Sequence, residues 1–436
     1  MIKEKNDAPP SFSPDAPIVA PVFPANAGEG SEAFGAPREI RREAVRHSRW
    51  TLAFLSLLMA FASIATDMYL PAMPTIGKEF DAADGTIEWT VSGFLAGFCF
   101  GQLIWGPIGD RVGRRRPVAA GIALFIVGSV GCALSGSAGA MIAWRAVQAI
   151  GACACVVLAR AMVRDLFQGV RAAQMLSILI TVMAVAPLLG PLVGGQILAI
   201  AGWRAIFWTL ALVGTVTLFA LKKLPETLAV EKRNRESYRA LPARYRHIIG
   251  DRAVWAYAGV SGCFYGGLFA HLSGTPFAYI EYYGLPPQYY GTLFGVAVLG
   301  IMACNMVNSR IAPKIGGARL ARLGAGVIAA AGFALALAGE TGIGGLAGLV
   351  VPIILFVSMN GFIVANSLAG AMERFPDHAG STSALVGAIQ SLVGVLGSVL
   401  TGALADGTPQ PMCAVMAFMG VAALAFAFAV PQERTS

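Results

Sequence analysis

One acidic residue, Asp67, lies within a long apolar segment that begins near Trp50, in the stretch TDMYLPAMP (residues 66–74). At 1.5 Å per helical residue, Asp67 lies roughly 25 Å along that segment. Ser63 precedes it by one helical turn and shares its face. The proton affinity of a buried carboxyl group depends on its solvation and on its distance from any cation. We therefore expect Asp67 to bind and release a proton, the alternative being a helix-terminal aspartate near the lipid headgroups.

A basic residue, Arg145, lies near the start of a later apolar segment, at a depth that should be similar to that of Asp67. An arginine inside hydrocarbon costs at least roughly 2.5–3.5 kcal/mol on insertion scales, so it should face the interior of the bundle and have a partner. Gln148 follows one turn later. We predict that Arg145 works with Asp67 in proton coupling. The alternative is an arginine whose side chain extends to the membrane surface.

The elements that must position these groups are membrane-spanning helices. Of the 436 residues, 56% are hydrophobic and only 13% are charged, about half the charged fraction of a soluble domain. The apolar residues form twelve blocks of about 20 residues, each long enough to cross a hydrocarbon layer roughly 30 Å thick. This pattern predicts an all-α integral membrane protein with twelve transmembrane helices. The seven cysteines lie in or beside these blocks without metal-ligand spacing, which favours packing roles over disulfides or zinc.

The net charge of +8 has a topological origin. Lysine and arginine concentrate in the even-numbered connections between spans, which predicts that these connections and both termini are cytoplasmic. The basic excess is therefore not a nucleic-acid site. No phosphate-binding G-x4-G-K-[ST] motif is present, so ATP-driven transport is not expected. No catalytic or metal-binding constellation is evident either, and we expect no enzyme activity and no cofactor.

The spans divide into two similar halves. We predict a disordered cytoplasmic tail (1–48), a first half of six spans (49–222), a cytoplasmic linker (223–250) and a second half of six spans (251–436). Superposing GPIGDRVGRRRP (106–117) on SRIAPKIGGARL (309–320) reveals a faint repeat that aligns Arg111 with Lys314. The same alignment places His271 next to the equivalent of Asp67. His271 is therefore a candidate second proton site or substrate ligand, the alternative being a structural histidine held by hydrogen bonds.

Two further motifs carry glycine, proline and charge. The first follows the second span, where glycines allow a tight turn and the acid can pair with the arginines; it comprises Gly106, Asp110, Arg111, Gly113, Arg114 and Arg115. The second lies in the fifth span, where prolines delete backbone donors and small residues let helices approach closely; it comprises Pro187, Gly190, Pro191, Gly194 and Gly195.

With these motifs in this order, the chain from about residue 50 to 430 resembles the major facilitator superfamily, and within it the bicyclomycin-resistance type of drug:proton antiporter. The resemblance implies two pseudo-symmetric halves that rock about a central site. It implies that the first motif is a conformational latch and the second an antiporter motif that seals a leak path. It also makes Arg145 the essential arginine of the fourth span. The family usually has glycine after the glutamine, where this chain has Ala149.

The resemblance implies proton-driven efflux of small amphipathic drugs, in the range of bicyclomycin or chloramphenicol, across the bacterial inner membrane. The alternatives are a metabolite exporter, an uptake symporter and a membrane sensor without transport. The expected partners are a small-molecule substrate, protons and the lipid bilayer, and the expected state is a monomer. Aromatic walls suit such substrates, and the candidate substrate-binding residues are Ser63, Phe94, Phe98, Gln148, Phe264, Tyr265 and Phe269.

Overall fold

The computed structural model describes residues 49–167, 169–229, 233, 248–375 and 379–430. The predicted tail and most of the predicted linker lie outside the described residues. Within the described part, the first half contains α1 (Arg49–Asp67), α2 (Met73–Glu79), α3 (Trp89–Val112), α4 (Arg115–Ala133), α5 (Ala138–Leu166), α6 (Gly169–Ala201) and α7 (Trp203–Ala220). The second half contains α8 (Arg252–Pro276), α9 (Pro287–Ile315), α10 (Gly317–Thr341), α11 (Gly345–Ser358), α12 (Asn366–Glu373), α13 (Ala379–Ala403) and α14 (Gln410–Ala429).

These helices confirm the predicted all-α membrane architecture. In the described residues, 11 helical stretches are long and apolar enough to cross a membrane. Helix α6 adds a shorter apolar stretch, Val185–Ala201, which brings the total to the twelve predicted spans. One span combines α1 with α2, and another combines α11 with α12 through a π-helical turn, Gly361–Ala365.

Local sequence sets several helix boundaries. The side chain of Ser137 accepts a hydrogen bond from the Ala140 backbone N–H at the start of α5. Asp251 similarly caps α8 by accepting from the Ala253 and Val254 N–H groups, which satisfies donors that the helix itself leaves free. Gly113 ends α3 with φ of 101°, and Gly316 ends α9 with φ of 90°. Because both glycines take this unusual backbone conformation at repeat-related positions, they support the internal repeat.

The helices pack as two related bundles. In the first half α5 packs against α3 and α4, and α1 packs against α6. In the second half α8 packs against α13 and α14, and α10 packs against α14. Across the halves, α6 contacts α9 and α3 contacts α13. These two contacts are equivalent under the repeat, so the interface between the halves is itself pseudo-symmetric.

The halves meet closely at one end of the bundle, which we call the acidic end and which contains residues 80–88; the opposite, basic end contains residues 113–114. A methyl group placed on Gly85 would lie 1.8 Å from the Gly402 carbonyl oxygen. Ser92 Oγ donates a hydrogen bond of 2.8 Å to Ser398 Oγ. Lys78 and Glu281 form an ion pair of 3.1 Å. The acidic end is therefore closed in this structure.

Candidate proton-coupling site

Asp67 is the last residue of α1 and is only 5% exposed. A short 3₁₀ turn, Leu70–Ala72, and then α2 follow it, with Pro71 and Pro74 at the starts of these elements. Among the described residues, no hydrogen bond or ion pair reaches the Asp67 carboxyl group. The helix therefore breaks directly after the acid, and neighbouring helices bury its side chain.

The glycines of α6 provide that burial. A methyl group on Gly190 would lie 2.8 Å from Asp67 Cβ, and one on Gly194 would lie 1.8 Å from the Met68 carbonyl oxygen. Only glycine therefore allows α6 to lie this close to the end of α1. Pro187 and Pro191 lie within the same helix. The predicted close approach is confirmed, and its target is the backbone that carries Asp67.

The same motif also faces the second half. A methyl group on Gly195 would lie 3.1 Å from the Pro287 carbonyl oxygen, and one on Gly291 would lie 2.5 Å from the Leu192 backbone nitrogen. Since Pro287 and Gly291 belong to α9, α6 contacts Asp67 with one face and the second half with another. A movement of α9 relative to α6 at this contact would therefore also change the packing around Asp67.

Arg145 is completely buried and lies against the end of α1. Its Nη1 donates to the Ala65 carbonyl oxygen at 2.9 Å and to Gln148 Oε1 at 2.6 Å. Its guanidinium carbon lies 4.1 Å from the ring centre of Tyr69 and 4.4 Å from that of Phe94, within cation–π range. Arg145 thus has the interior position and partners that the sequence predicts, and it does not extend to the surface.

Gln148, which is predicted to contact the substrate, is buried between two hydrogen-bond partners. It accepts from Arg145, and its Nε2 donates to Ser129 Oγ at 2.8 Å, which in turn donates to the Phe125 carbonyl oxygen. Gln148 has no exposed surface in this conformation, so its amide groups contact Arg145 and Ser129 and do not face a cavity. This geometry is typical of a residue that positions the arginine.

His271 lies in a different environment in the second half. It is 3% exposed, and its ring stacks on Phe294 with centroids 6.0 Å apart and an interplanar angle of 9°. Its Nδ1 has no hydrogen-bond partner among the described residues, so this nitrogen does not supply the hydrogen bond that the structural alternative predicts. Its carbonyl oxygen accepts from Thr275, which also bonds to Tyr290.

The aromatic candidates separate into two groups. Phe264 is fully buried and stacks on Phe356 inside the second half, while Phe94 is 2% exposed beneath Arg145. In this conformation neither ring lines a cavity, because both face the packed interior of the helices. The remaining candidates are half-buried and stay candidates for substrate contact: Ser63, Phe98, Tyr265 and Phe269.

Arg160 is a candidate that the sequence reasoning missed. It lies within α5 with an exposed side chain, and Tyr265 of the other half lies near it. Its position therefore faces the space between the halves. The sequence contains the signal that could have identified Arg160: it is an arginine inside the apolar run VVLARAMV. The insertion cost that singles out Arg145 applies equally to it.

The predicted latch forms a charge network at the basic end. Arg114 donates from Nη1 to Asp110 at 2.6 Å and from Nε to Asp165 at 2.8 Å. The backbone N–H groups of Arg114 and Arg115 donate to the Glu226 carboxylate at 2.7 and 3.1 Å. These partners belong to the first half and the segment after α7, so the network ties elements of one half together in this conformation.

Two glycines of the latch motif behave differently. Gly113 forms the turn, as predicted, whereas Gly106 lies inside α3, and a methyl group there would meet nothing within 4 Å. The expectation that Gly106 serves a tight turn is wrong, because α3 continues to Val112. Arg111 lies in the last turn of the same helix.

Comparison with known proteins identifies the architecture. The sequence profile described as "Major Facilitator Superfamily" matches residues 55–398. The chain belongs to the major facilitator superfamily. An uncharacterized MFS-type transporter YdgK of Bacillus subtilis (strain 168) is 37% identical over 392 residues, covering 88% of this chain and 96% of that protein. The expected superfamily is confirmed, and this chain is a multi-pass membrane transporter of small molecules.

Relatives with named resistance functions are also similar over nearly the whole chain. A bicyclomycin resistance protein homolog of Haemophilus influenzae is 30% identical, with coverage of 87% of this chain and 94% of that protein. A chloramphenicol resistance protein of Pseudomonas aeruginosa is 29% identical, with coverage of 84% and 87%. Among solved structures, a D-xylose-proton symporter superposes with a TM-score of 0.69 at 16% identity, covering 87% and 98% of the two chains, which shows a shared fold.

Proposed function

We propose that this transporter exports small amphipathic drugs across the bacterial inner membrane in exchange for protons, with Asp67 as the proton carrier and both termini in the cytoplasm. The observation that carries the proposal is the contact of Gly190 and Gly194 with the end of α1. An ionised carboxylate buried without a partner is costly. The more closely α6 and the second half pack against Asp67, the more its ionised form is disfavoured and the more tightly it binds a proton.

Arg145 supplies the second part of this linkage. It interacts electrostatically with Asp67 but is held by the Ala65 carbonyl, Gln148 and two aromatic rings. A small movement of α1 relative to α5 would change the distance between the two charges and hence the proton affinity of Asp67. Each proton moving down roughly 100 mV provides about 2.3 kcal/mol for export.

The names of the relatives support drugs as substrates, and chloramphenicol is the first probe. In inverted vesicles energised with a proton gradient, the unaltered protein should accumulate radiolabelled chloramphenicol and release protons when the drug is added. Asp67→Asn should do neither, because the amide does not gain or lose a proton near neutral pH. Glu340→Gln removes an exposed carboxylate at the end of α10 and serves as the matched control, with unchanged accumulation.

The other outcomes separate the alternatives. Accumulation that survives in Asp67→Asn contradicts the assigned proton carrier. If the proton gradient instead drives preloaded drug out of the inverted vesicles, the protein is an uptake symporter. If chloramphenicol and bicyclomycin both fail to move, the drug assignment is wrong and a metabolite exporter is the better hypothesis. A single detergent-solubilised copy per micelle, measured by light scattering, would support the proposed monomer.

A further inference from the structure

A cavity of about 330 Å³ lies between the two halves at the closed acidic end, away from Asp67. The first half lines it with α2 and residues 80–88, and the second half lines it with Phe277–Tyr282, the outer end of α13, the 404–409 connection and the start of α14. The close approach of Gly85 to Gly402 and the Ser92–Ser398 hydrogen bond border this region. The cavity can therefore exist in this form only while the acidic end is closed.

Glu88, immediately before α3, lines the cavity and is 5% exposed. One of its carboxylate oxygens, Oε2, is buried without a hydrogen-bond partner among the described residues. An unpaired buried carboxylate oxygen is costly when the group is ionised and much less so when it carries a proton. A glutamate that only solubilised this connection would point outward instead.

The groups that face Glu88 make ionisation still less favourable. The ionisable residues that line the cavity with it are Lys78 from α2, Asp81 and Asp84 from the connection, and Glu281 and Tyr282 from the second half. The lining side chains from α13, the 404–409 connection and α14 are not ionisable: Thr401, Ala405, Thr408, Pro411 and Met412. The one ammonium group already pairs with Glu281, so carboxylates outnumber cations around Glu88.

We propose that Glu88 is a second proton-binding site, which stabilises the closed acidic end when it is protonated. Closure brings Glu88 into the cavity beside Asp84 and Glu281, and opening returns it to water. Its proton therefore enters and leaves on the same side of the membrane. Unlike a proton on Asp67, it does not count in the exchange stoichiometry.

The direction of the pH dependence follows from the closed structure. Burial, together with the charges of Asp84 and Glu281, raises the pKa of Glu88 from 4.5 to about 7. A group with a raised pKa in the closed state favours closure fully below its pKa in the open state. This stabilisation is lost as the pH rises from about 4.5 to about 7, and it changes no further above that range.

The consequence for transport rests on the proposed function. If the acidic end faces the outside, external acid promotes closure at the moment when Asp67 is loaded with a proton. Closure and proton loading would then respond to the same external pH through two separate carboxyl groups. The gate itself can be measured without any drug, so a failure of this proposal is distinct from a failure of drug export.

The experiment measures the distance between the halves at the acidic end. Spin labels at Ala83→Cys and Gln410→Cys, both exposed positions, report opening in phospholipid nanodiscs by pulsed electron resonance. The seven native cysteines are replaced, and Asp67→Asn is included so that the proton carrier cannot contribute. The ratio of long to short distances should rise by at most about tenfold per pH unit between pH 4.5 and 7, and then level off.

Two variants test the assignment to Glu88. Glu88→Gln should stay closed throughout this range, whereas Asp84→Asn, which removes a repelling charge, should move the upper limit of the transition to lower pH. Glu340→Gln is the matched control and should titrate like the parent. A pH-independent parent, or a Glu88→Gln variant that titrates like the parent, overturns the proposal. If Glu88→Gln does not fold, an unshifted transition in Asp84→Asn overturns it instead.

Discussion

In the first half, the Arg145 guanidinium donates to a backbone carbonyl and to Gln148 and lies between two aromatic rings. In the second half, near the repeat-related position of Asp67, the His271 imidazole stacks on one ring and leaves Nδ1 unpaired. Both groups are buried and both leave nitrogen atoms unpaired, Nε and Nη2 in Arg145 and Nδ1 in His271. Of these two side chains, only that of Arg145 makes hydrogen bonds within the part of the chain that the structure describes, and it makes them through Nη1. The two halves therefore share their packing, whereas the buried Asp67 and Arg145 both lie in the first half.

The different placement of charged groups in the two halves suggests how helix movements could act on Asp67. The first half holds Asp67 and Arg145 on adjoining helices, so their separation depends on small movements of α1, α5 and α6. The second half contributes α9, which contacts the glycine motif of α6, and aromatic rings that pack against each other. We infer that the second half acts on the proton site through this contact and not through a charge of its own.

A substitution that disrupts the hydrogen bonds of Arg145 should have the strongest consequence. Arg145→Lys keeps the charge but loses the planar group that bonds Ala65 and Gln148 while stacking between two rings. We expect a loss of stability of about 2–4 kcal/mol and drug exchange at the background level. Thermal unfolding in detergent and uptake in inverted vesicles measure the two quantities.

Arg204→Lys is the matched control for that change. Arg204 lies at the acidic end, pairs with Glu79 and is 44% exposed, so its replacement should alter stability by less than about 1 kcal/mol. If both variants transport equally well, the hydrogen-bonded network around Arg145 has no special role and the comparison between the halves fails.

An intermediate effect is expected at the helix contact that links the halves to Asp67. Gly194→Ala places a methyl group against the Met68 carbonyl oxygen, where the available distance is 1.8 Å, so α6 must move away from the acid. Overpacking of this kind costs about 1–3 kcal/mol, and we expect exchange to fall by about tenfold. Initial rates of proton-driven uptake give the measurement.

Gly195→Ala distinguishes the two faces of α6. Its methyl group would meet α9 at 3.1 Å, which a small adjustment relieves, so we expect a smaller loss than for Gly194→Ala. Equal losses for the two variants would show that the contact between α6 and α9 matters as much as the contact with Asp67.

The sequence predicts the charged part of the site well because charges are rare in apolar helices. Asp67 and Arg145 stand out for this reason, and the glycine spacing of α6 follows from close helix approach. Helix rotation is harder to predict. In spans that are apolar on all sides, nothing in the spacing reveals that Phe264 faces the packed interior of its half. Glu88 resembles an ordinary loop residue, because its burial arises only when the second half closes over it.

Substitutions at His271 should have the weakest effect of all, and they test whether the second half carries a transported proton. If the second half only packs, His271→Phe should preserve the stack on Phe294 and remove the unpaired Nδ1, which changes stability by about 1 kcal/mol or less. Exchange and its proton stoichiometry, measured from the drug-to-proton flux ratio, should stay within about twofold. His271→Gln keeps a polar group but loses the aromatic stack, so it should be the more damaging of the two. The reverse order, with a lower proton flux per drug in His271→Phe, would assign a second transported proton to His271 and restore the symmetry of the halves.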